Sequence, residues 1–138
     1  MEHLAILKPE YFNKIRNETK TIESRWSVYN RNPYKNRKDI KVGEKLYFKP
    51  TGGLVSLKAK IAKTFFEADL TEKRIKELIK QYGKRIGIDL DYYTKEIRGK
   101  GKKYCSLIFI KNVVSITPKK FKTKKGSRLA WFTKPKIF

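Results

Sequence analysis

The side chains best suited to chemistry lie in one short segment, ETKTIESRW at residues 18–26. If this segment is a strand, its alternation places Thr21, Glu23 and Arg25 on one face and turns Ile22 to the other. The first face would carry a hydroxyl, a carboxylate and a guanidinium in a row. Such a row is unfavourable to bury unless the groups pair with one another or meet a ligand. From the spacing alone, both an exposed strand with a Glu–Arg ion pair and a polar binding site stay open.

The elements that must position this segment follow from the spacing of apolar residues. Apolar runs predict strands at 4–7, 20–26, 45–49, 54–66, 103–114 and 129–133. Two short helices interrupt these strands. The first helix enters at Pro9, where a missing N–H is harmless, and ends near Asn17. The second starts at Asp69, which forms a capping-box-like pair with Glu72, and stops at Gly83.

The resulting order is β-α-β-β-β-α-β-β, with polar loops at 27–41, 84–102 and 119–128. No internal repeat and no Pro/Gly/Ser linker divides the chain, so we expect a single domain over residues 1–138. Strands dominate this order. The pattern therefore predicts an α+β fold in which the two short helices plug a curved or barrel-like mixed sheet.

The strongest signal in the composition is charge. The 138 residues include 35 Lys and Arg against 13 Asp and Glu, which gives a net charge of +22. A folded domain this basic gains by contact with a polyanion, and nucleic acid is the commonest one. A membrane surface is disfavoured because the charge is spread along the chain rather than gathered on one amphipathic helix. A general enrichment in Lys without any function is the remaining interpretation.

The sequence does not support metal, cofactor or disulfide chemistry. His3 and Cys105 are the single residues of their kinds and lie far apart in the chain, so they cannot assemble a metal-ligand cluster. One cysteine excludes an intramolecular disulfide and favours a reducing compartment. The chain shows no signal peptide and no apolar segment of membrane-spanning length. We therefore expect a cytoplasmic protein, or a nuclear one if its source is eukaryotic.

Residues 18–26 resemble the signature of the ASCH domain family, G-x-K-x-x-E-x-R, which belongs to the PUA-like superfamily. Lys20, Glu23 and Arg25 match this signature in spacing, whereas the family's glycine falls on Glu18. Other parts of the chain are similar to the family's layout: the opening at 4–9, the VGEKLYF segment at 42–48 and the LAWF ending at 129–132.

The resemblance implies a PUA-like mixed β pseudo-barrel whose cleft holds Lys20, Glu23 and Arg25 and accepts RNA or a modified nucleobase. Strict alternation would turn Lys20 away from Glu23, so a shared cleft requires a bulge or a strand end near Lys20. A carboxylate can accept from an exocyclic amine, while Arg and Lys hold ring oxygens or phosphate. A base must leave its stack to enter such a cleft, so we expect single-stranded or flipped nucleotides of RNA as the partner.

Some members of the superfamily are enzymes, so a catalytic alternative stays open. The bacterial N4-acetylcytidine amidohydrolases show a similar pattern, K-T-x-T-x-R, but Glu23 stands in the place of their proposed Thr nucleophile. Lys20, Thr21 and Glu23 are the catalytic candidates, with Glu23 as a general base on water for a modified nucleoside or for RNA. A domain that binds another protein is the third alternative.

Further contacts with RNA are expected from aromatic and basic side chains around the segment. Trp26 and Tyr29 can stack on bases at about 1–3 kcal/mol per contact, and Arg31 lies beside them. Trp26 suits the core equally well, and Trp131, in an apolar strand, suits it better. The expected phosphate contacts lie in and after the last basic loop: Lys120, Lys122, Lys124, Lys125 and Arg128.

Overall fold

The computed structural model of the protein describes residues 1–122, 129–135 and 137. The strands are β1 (Glu2–Leu7), β2 (Ile22–Ser27), β3 (Lys45–Pro50), β4 (Val55–Glu67), β5 (Tyr104–Lys119) and β6 (Trp131–Thr133). Across these described ranges they form a six-stranded sheet in the order β2-β5-β4-β3-β1-β6. β1 runs parallel to β3, and all other neighbours in the sheet are antiparallel.

The sheet curls into a half-barrel. Its edge strand β2 comes close to β1. A hydrogen bond connects the two strands there: Nη2 of Arg25 donates to the carbonyl of Ile6 at 3.0 Å. The helical segments are α1 (Pro9–Arg16), α2 (Glu72–Ile86), α3 (Leu90–Tyr92), a π-helical turn after it (Tyr93–Arg98) and a 3-10 turn (Arg37–Asp39). The predicted α+β architecture, a curled mixed sheet covered by short helices, is confirmed.

Apolar side chains cover both faces of the sheet. One cluster packs α1 against the sheet and includes Phe12, Phe48 and Trp131, so the core position predicted for Trp131 is correct. The other packs α2 against β2 and β5 and includes Ile22 and Leu107. β2 is therefore fixed to the core through Ile22 on one face, while the next residue along the strand points to the opposite face.

The start and the end of α2 both differ from the prediction. The N-cap is Thr71, whose hydroxyl accepts from the amide of Arg74 at 3.1 Å, rather than Asp69. The helix continues through Gly83 and ends before Gly87, which adopts the left-handed conformation with φ of 85°. Close packing favours glycine at position 83, because a Cβ there would lie only 3.2 Å from the carbonyl oxygen of Ile88.

The loop predicted for residues 84–102 was also wrong. This stretch contains the last turn of α2, α3 and the π-helical turn. Tyr93 and Ile97 from this turn are buried in the cluster under α2. These two residues are four apart, as on one face of a helix, but this short period within a polar stretch does not by itself predict a helix, and tertiary packing decides the conformation.

The turn before β2 has the shape that the family's glycine would provide. Glu18 adopts φ of 63°, in the left-handed region that L-residues with a Cβ avoid. The adjoining backbone is held by bonds from the Lys20 amide to the Lys14 carbonyl and from the Thr19 amide to the Asn17 side chain. The tight turn is thus retained without glycine, at the expense of local strain.

We expect Glu18→Gly to stabilise the protein by about 0.5–1 kcal/mol. The left-handed conformation costs a residue with a Cβ about 1–2 kcal/mol, and the greater freedom of glycine in the unfolded chain takes back part of that gain. Urea unfolding gives the free energies. Glu18→Ala removes the same carboxylate but keeps the Cβ, so its stability should match that of the unchanged protein. A gain with Ala equal to that with Gly would contradict the backbone argument.

Candidate functional site

A cavity of about 550 Å³ lies in the seam where β2 approaches β1, and we call it the seam cavity. Its walls come from the ends of β1 and β3, from β2, from α1, from the segment around α3 and from the residues before β6. The side chains used below that line it are Lys8, Tyr11, Lys20, Glu23, Ser24, Arg25, Trp26, Lys49, Tyr92 and Glu96. This volume is in the range of small-molecule sites.

Glu23 is the centre of the polar groups in the seam cavity. It is only 2% exposed, and its two carboxylate oxygens meet two different cations. Oε1 lies 3.3 Å from Nζ of Lys20, and Oε2 accepts from Nη2 of Arg25 at 2.9 Å. The three residues of the sequence signature are therefore together, as expected for a shared cleft.

Lys20 has an additional structural role. It precedes the first residue of β2, so strand alternation does not turn it away from Glu23. Its ammonium group also donates to the carbonyls of Ile22 and Ile86, each at 2.7 Å. These bonds and the ion pair occupy its three N–H groups. Because Ile86 is the last residue of α2, Lys20 places a cation at the negative end of that helix.

The charge of Lys20 is buried in the folded protein. Burial of this side chain, 3% exposed, lowers the pKa of Lys20 below its ordinary value. The carboxylate of Glu23 raises the pKa in opposition, while Arg25 and Lys14 lower it further. The ion pair with Glu23 therefore offsets only part of the desolvation.

Thr21 does not share the face of Glu23 and Arg25, so this part of the prediction was wrong. β2 begins only at Ile22, and Thr21 lies in the approach to it. The hydroxyl of Thr21 accepts from Nε of Arg85 at 3.0 Å, and Thr21 is not among the lining residues of the seam cavity. Its side chain serves the contact with α2.

Arg25 keeps donors that the described part of the chain does not use. Its side chain is 21% exposed, and Nη2 makes both of its hydrogen bonds, to Glu23 and to Ile6. Nε is buried without a hydrogen-bond partner. A guanidinium carries five N–H groups, so Arg25 can still donate to a ligand through the two N–H groups of Nη1.

Aromatic side chains form one wall of the seam cavity. Trp26 is half-buried, packs against the cluster under α2 and donates its indole N–H to Ser24 at 3.1 Å, so it serves both core and cavity. Tyr11 and Tyr92 meet edge to face with ring centroids 6.3 Å apart. Burial raises the pKa of Tyr92 to about 12, and the pKa of Tyr11 is also raised, chiefly by burial.

The sequence did not single out Tyr11 and Tyr92 as site residues, nor Lys8 and Lys49. Tyr11 was assigned to the apolar face of α1, and Tyr92 to a loop. Asp89, which caps α3 by accepting from the amide of Tyr92 at 2.9 Å, was the available signal for the local helix. Lys8 and Lys49 reach the cavity only because the curled sheet brings the ends of β1 and β3 to the seam.

Four other predicted nucleic-acid contacts, Tyr29, Arg31, Lys120 and Lys122, are not among the residues that line the seam cavity. Tyr29 is 64% exposed and carries the guanidinium of Arg31 5.3 Å from its ring centroid, as an exposed pair. Lys120 and Lys122 are exposed at the end of β5 and after it. Lys124, Lys125 and Arg128 lie outside the described residues.

His3 and Cys105 are core residues. His3 is fully buried between Glu44, 3.1 Å from Nε2, and Thr133, 3.3 Å from Nδ1. Cys105 is buried under α2, and this burial raises the pKa of its thiol well above the ordinary value. Over residues 1–122, 129–135 and 137, no group of three or more His, Cys, Asp or Glu residues could hold a metal ion.

None of the helices in the described ranges combines the length and the apolar composition needed to cross a membrane.

The curled six-stranded sheet with its seam cavity defines an α+β half-barrel domain. No family model matches the chain, and no curated protein does. Among solved structures, the chain has the fold of an ASCH domain. It is similar to ASCH from Zymomonas mobilis with a TM-score of 0.65 and 18% sequence identity, over 85% of this chain and 71% of that one.

Two further solved structures agree with this fold. A variant of the Zymomonas mobilis protein, with a tyrosine replaced by phenylalanine, matches with a TM-score of 0.65 and 18% identity, over 85% of this chain and 73% of the variant. A hypothetical protein matches with a TM-score of 0.53 and 21% identity, over 84% of this chain and 100% of its own. At these sequence identities the similarity shows a shared fold and nothing more.

Proposed function

We propose that the protein is an ASCH-type domain that binds RNA and takes one unstacked nucleotide into the seam cavity. The observation that carries this proposal is the seam cavity itself, in which aromatic rings stand beside a buried carboxylate and its two cations. Aromatic rings offer stacking surfaces to any base, and fixed charges orient it. The net charge of +22 supplies the long-range attraction to a polyanion.

The basic surface and the seam cavity have different roles in this proposal. Exposed side chains such as Lys120, Lys122 and Arg31 contact phosphates and hold the RNA without regard to its sequence. Lys20, Glu23, Arg25 and Trp26 meet the single nucleotide that enters the cavity. Affinity therefore comes mainly from the surface, and discrimination comes mainly from the cavity.

Binding to single-stranded RNA is expected to weaken steeply with salt. If about five phosphates are neutralised, the logarithm of the association constant should fall with the logarithm of salt concentration at a slope of about −4. A filter-binding series on unstructured oligonucleotides measures this slope. Affinity that is independent of salt would contradict the proposal and favour a domain that binds another protein.

A pair of variants separates the cavity from the surface in the same assay. Trp26→Leu removes an aromatic ring from the wall of the seam cavity, whereas Tyr29→Leu removes one from the exposed loop. Loss of a stacked base should weaken binding by about 1–3 kcal/mol in Trp26→Leu, and by less in Tyr29→Leu, because a base on the exposed ring of Tyr29 stays in contact with water. Melting curves control for folding. Equal losses in the two variants would remove the cavity from the proposal.

Efficient hydrolysis of N4-acetylcytidine is not expected. Glu23 stands where the similar amidohydrolases have a Thr nucleophile, and both of its carboxylate oxygens are already engaged by Lys20 and Arg25 rather than free to accept a proton from water. Chromatography of N4-acetylcytidine incubated with the protein tests this. Robust release of cytidine that disappears in Glu23→Ala would show that the carboxylate supports catalysis and would establish the hydrolase alternative.

A further inference from the structure

The ion pairs of Glu23 with Lys20 and Arg25 do not neutralise all of the positive charge in the seam cavity. Lys20 and Arg25 share one carboxylate, that of Glu23, so the three side chains together carry one net positive charge. The ammonium of Lys20 is saturated by Glu23, Ile22 and Ile86. The donor group that stays available among these side chains is Nη1 of Arg25, because Nη2 is used and Nε is buried. The group is therefore suited to a ligand that brings acceptors rather than donors.

Two more lysines surround the same opening. Lys8, at the end of β1, is exposed, and Lys49, near the end of β3, is half-buried and bonded to the carbonyl of Pro50 at 3.3 Å. The second carboxylate in the lining, that of Glu96, is already paired with Lys100 at 2.6 Å. Neither Lys8 nor Lys49 forms a salt bridge within the described part of the chain, although Lys100 and, to a smaller extent, Lys8 lower the pKa of the Glu96 carboxyl. Both lysines line the seam cavity together with Arg25.

Three aromatic side chains line the seam cavity together with the cations, and the ring of Tyr11 lies 5.7 Å from the ammonium of Lys20. Tyr11 and Tyr92 both have pKa values raised by burial, to about 12 for Tyr92, so both hydroxyls stay neutral at physiological pH. Trp26 adds a third ring. The lining therefore offers rings to a planar base and cations to an anion.

We propose that the ligand of the seam cavity is a nucleoside monophosphate unit, whose phosphate monoester meets Arg25, Lys8 and Lys49 while its base lies against the aromatic wall. This inference rests on the proposed function and deepens it, because it names the phosphate as the determinant and excludes a neutral nucleoside as the preferred ligand. The unit is either a free mononucleotide or the phosphorylated end of an RNA, which present the same chemistry.

The test is isothermal titration of the protein with the four ribonucleosides, their 5′-monophosphates and inorganic phosphate. At least one monophosphate should bind about tenfold or more tightly than its nucleoside, because charge-assisted hydrogen bonds are the strong ones. Inorganic phosphate should bind more weakly than that monophosphate, because it cannot use the aromatic wall. A nucleoside that binds as tightly as its monophosphate would overturn the proposal, and so would inorganic phosphate that matches the monophosphate.

Matched variants locate the phosphate. Lys49→Gln and Lys8→Gln should each weaken the monophosphate severalfold and leave the nucleoside unchanged. Lys60→Gln removes the same charge from an exposed position of β4 outside the cavity lining and should change neither. An equal loss in Lys60→Gln would show that only the net charge matters, which overturns the proposal.

RNA oligonucleotides with and without a terminal phosphate distinguish the two sources of the ligand. If the terminal phosphate strengthens binding, and Lys49→Gln abolishes this gain, the cavity takes an RNA end. If only mononucleotides show the effect, it takes a free nucleotide. Salt-dependent binding of RNA without any binding of monophosphates would overturn this inference and leave the proposed function standing. If a monophosphate binds clearly and RNA does not bind, the proposed RNA-binding function is overturned and the phosphate site in the seam cavity stands.

Discussion

Glu23→Gln is expected to destabilise the protein by about 3–5 kcal/mol. Glutamine has the shape of glutamate but not its charge, and Glu23 is buried between Lys20 and Arg25. Removing one partner of a buried ion pair leaves an uncompensated charge in the interior. This costs much more than the loss of an exposed ion pair, which costs only about 0–1 kcal/mol. Urea unfolding monitored by circular dichroism gives the difference in free energy of unfolding.

The control for Glu23→Gln is a pair of similar composition on the surface. Asp91 and Lys95 form an exposed pair at 3.3 Å, and Asp91→Asn should cost about 0–1 kcal/mol. If Glu23→Gln falls in the same small range, the carboxylate is not the partner that holds the two cations in the seam. Its role would then be confined to ligand binding.

Lys20→Met is expected to cost about 2–4 kcal/mol, the second large effect. Methionine retains the apolar stem but removes the cation of Glu23 and the donor of two carbonyls, Ile22 and Ile86. A buried acceptor left without a donor costs about 1–3 kcal/mol, partly offset here because the desolvated ammonium is gone. The double variant with Glu23→Gln should lose less than the sum of the single losses, since each single change already breaks the same pair.

The pH dependence of Lys20→Met follows from the lowered pKa. Burial lowers the pKa of Lys20 below 10.5, so the unfolded chain still binds a proton that the folded chain has begun to release. The stability that this group confers is therefore lowest below the folded pKa and rises with pH toward about 10.5. Lys20→Met lacks this rise, so its deficit relative to the unchanged protein should widen from neutral pH to about pH 10.5. A deficit that narrows would contradict the assigned burial of the ammonium.

Local spacing predicts the parts of the site that lie within one segment. Glu23 and Arg25 are two residues apart on a strand, so alternation alone brings them to one face. Lys20 could be placed only through the resemblance to a known signature, because it precedes the strand. Thr21 was assigned to the wrong place for the same reason: the periodicity of a strand does not mark its first residue.

The parts of the site that come from distant segments depend on how the sheet curls. Lys8 and Lys49 end two strands that meet β2 only across the seam, and no pattern in their own segments indicates this. Tyr92 lies in a stretch whose helical turns are stabilised by tertiary packing, because Tyr93 and Ile97 are buried in the apolar cluster under α2. Such contacts are set by tertiary packing, which overrides weak local propensity.

The bond from Arg25 to the carbonyl of Ile6 links occupancy of the seam cavity to the width of the half-barrel. The same guanidinium fastens β2 to β1 and lines the cavity beside Glu23. An anionic ligand that binds Nη2 of Arg25 competes with the carbonyl of Ile6 for the N–H groups of that nitrogen. A ligand that takes the Nη2 hydrogen away from the Ile6 carbonyl would remove a contact between β2 and β1, whereas a ligand that binds only Nη1 would leave that contact in place.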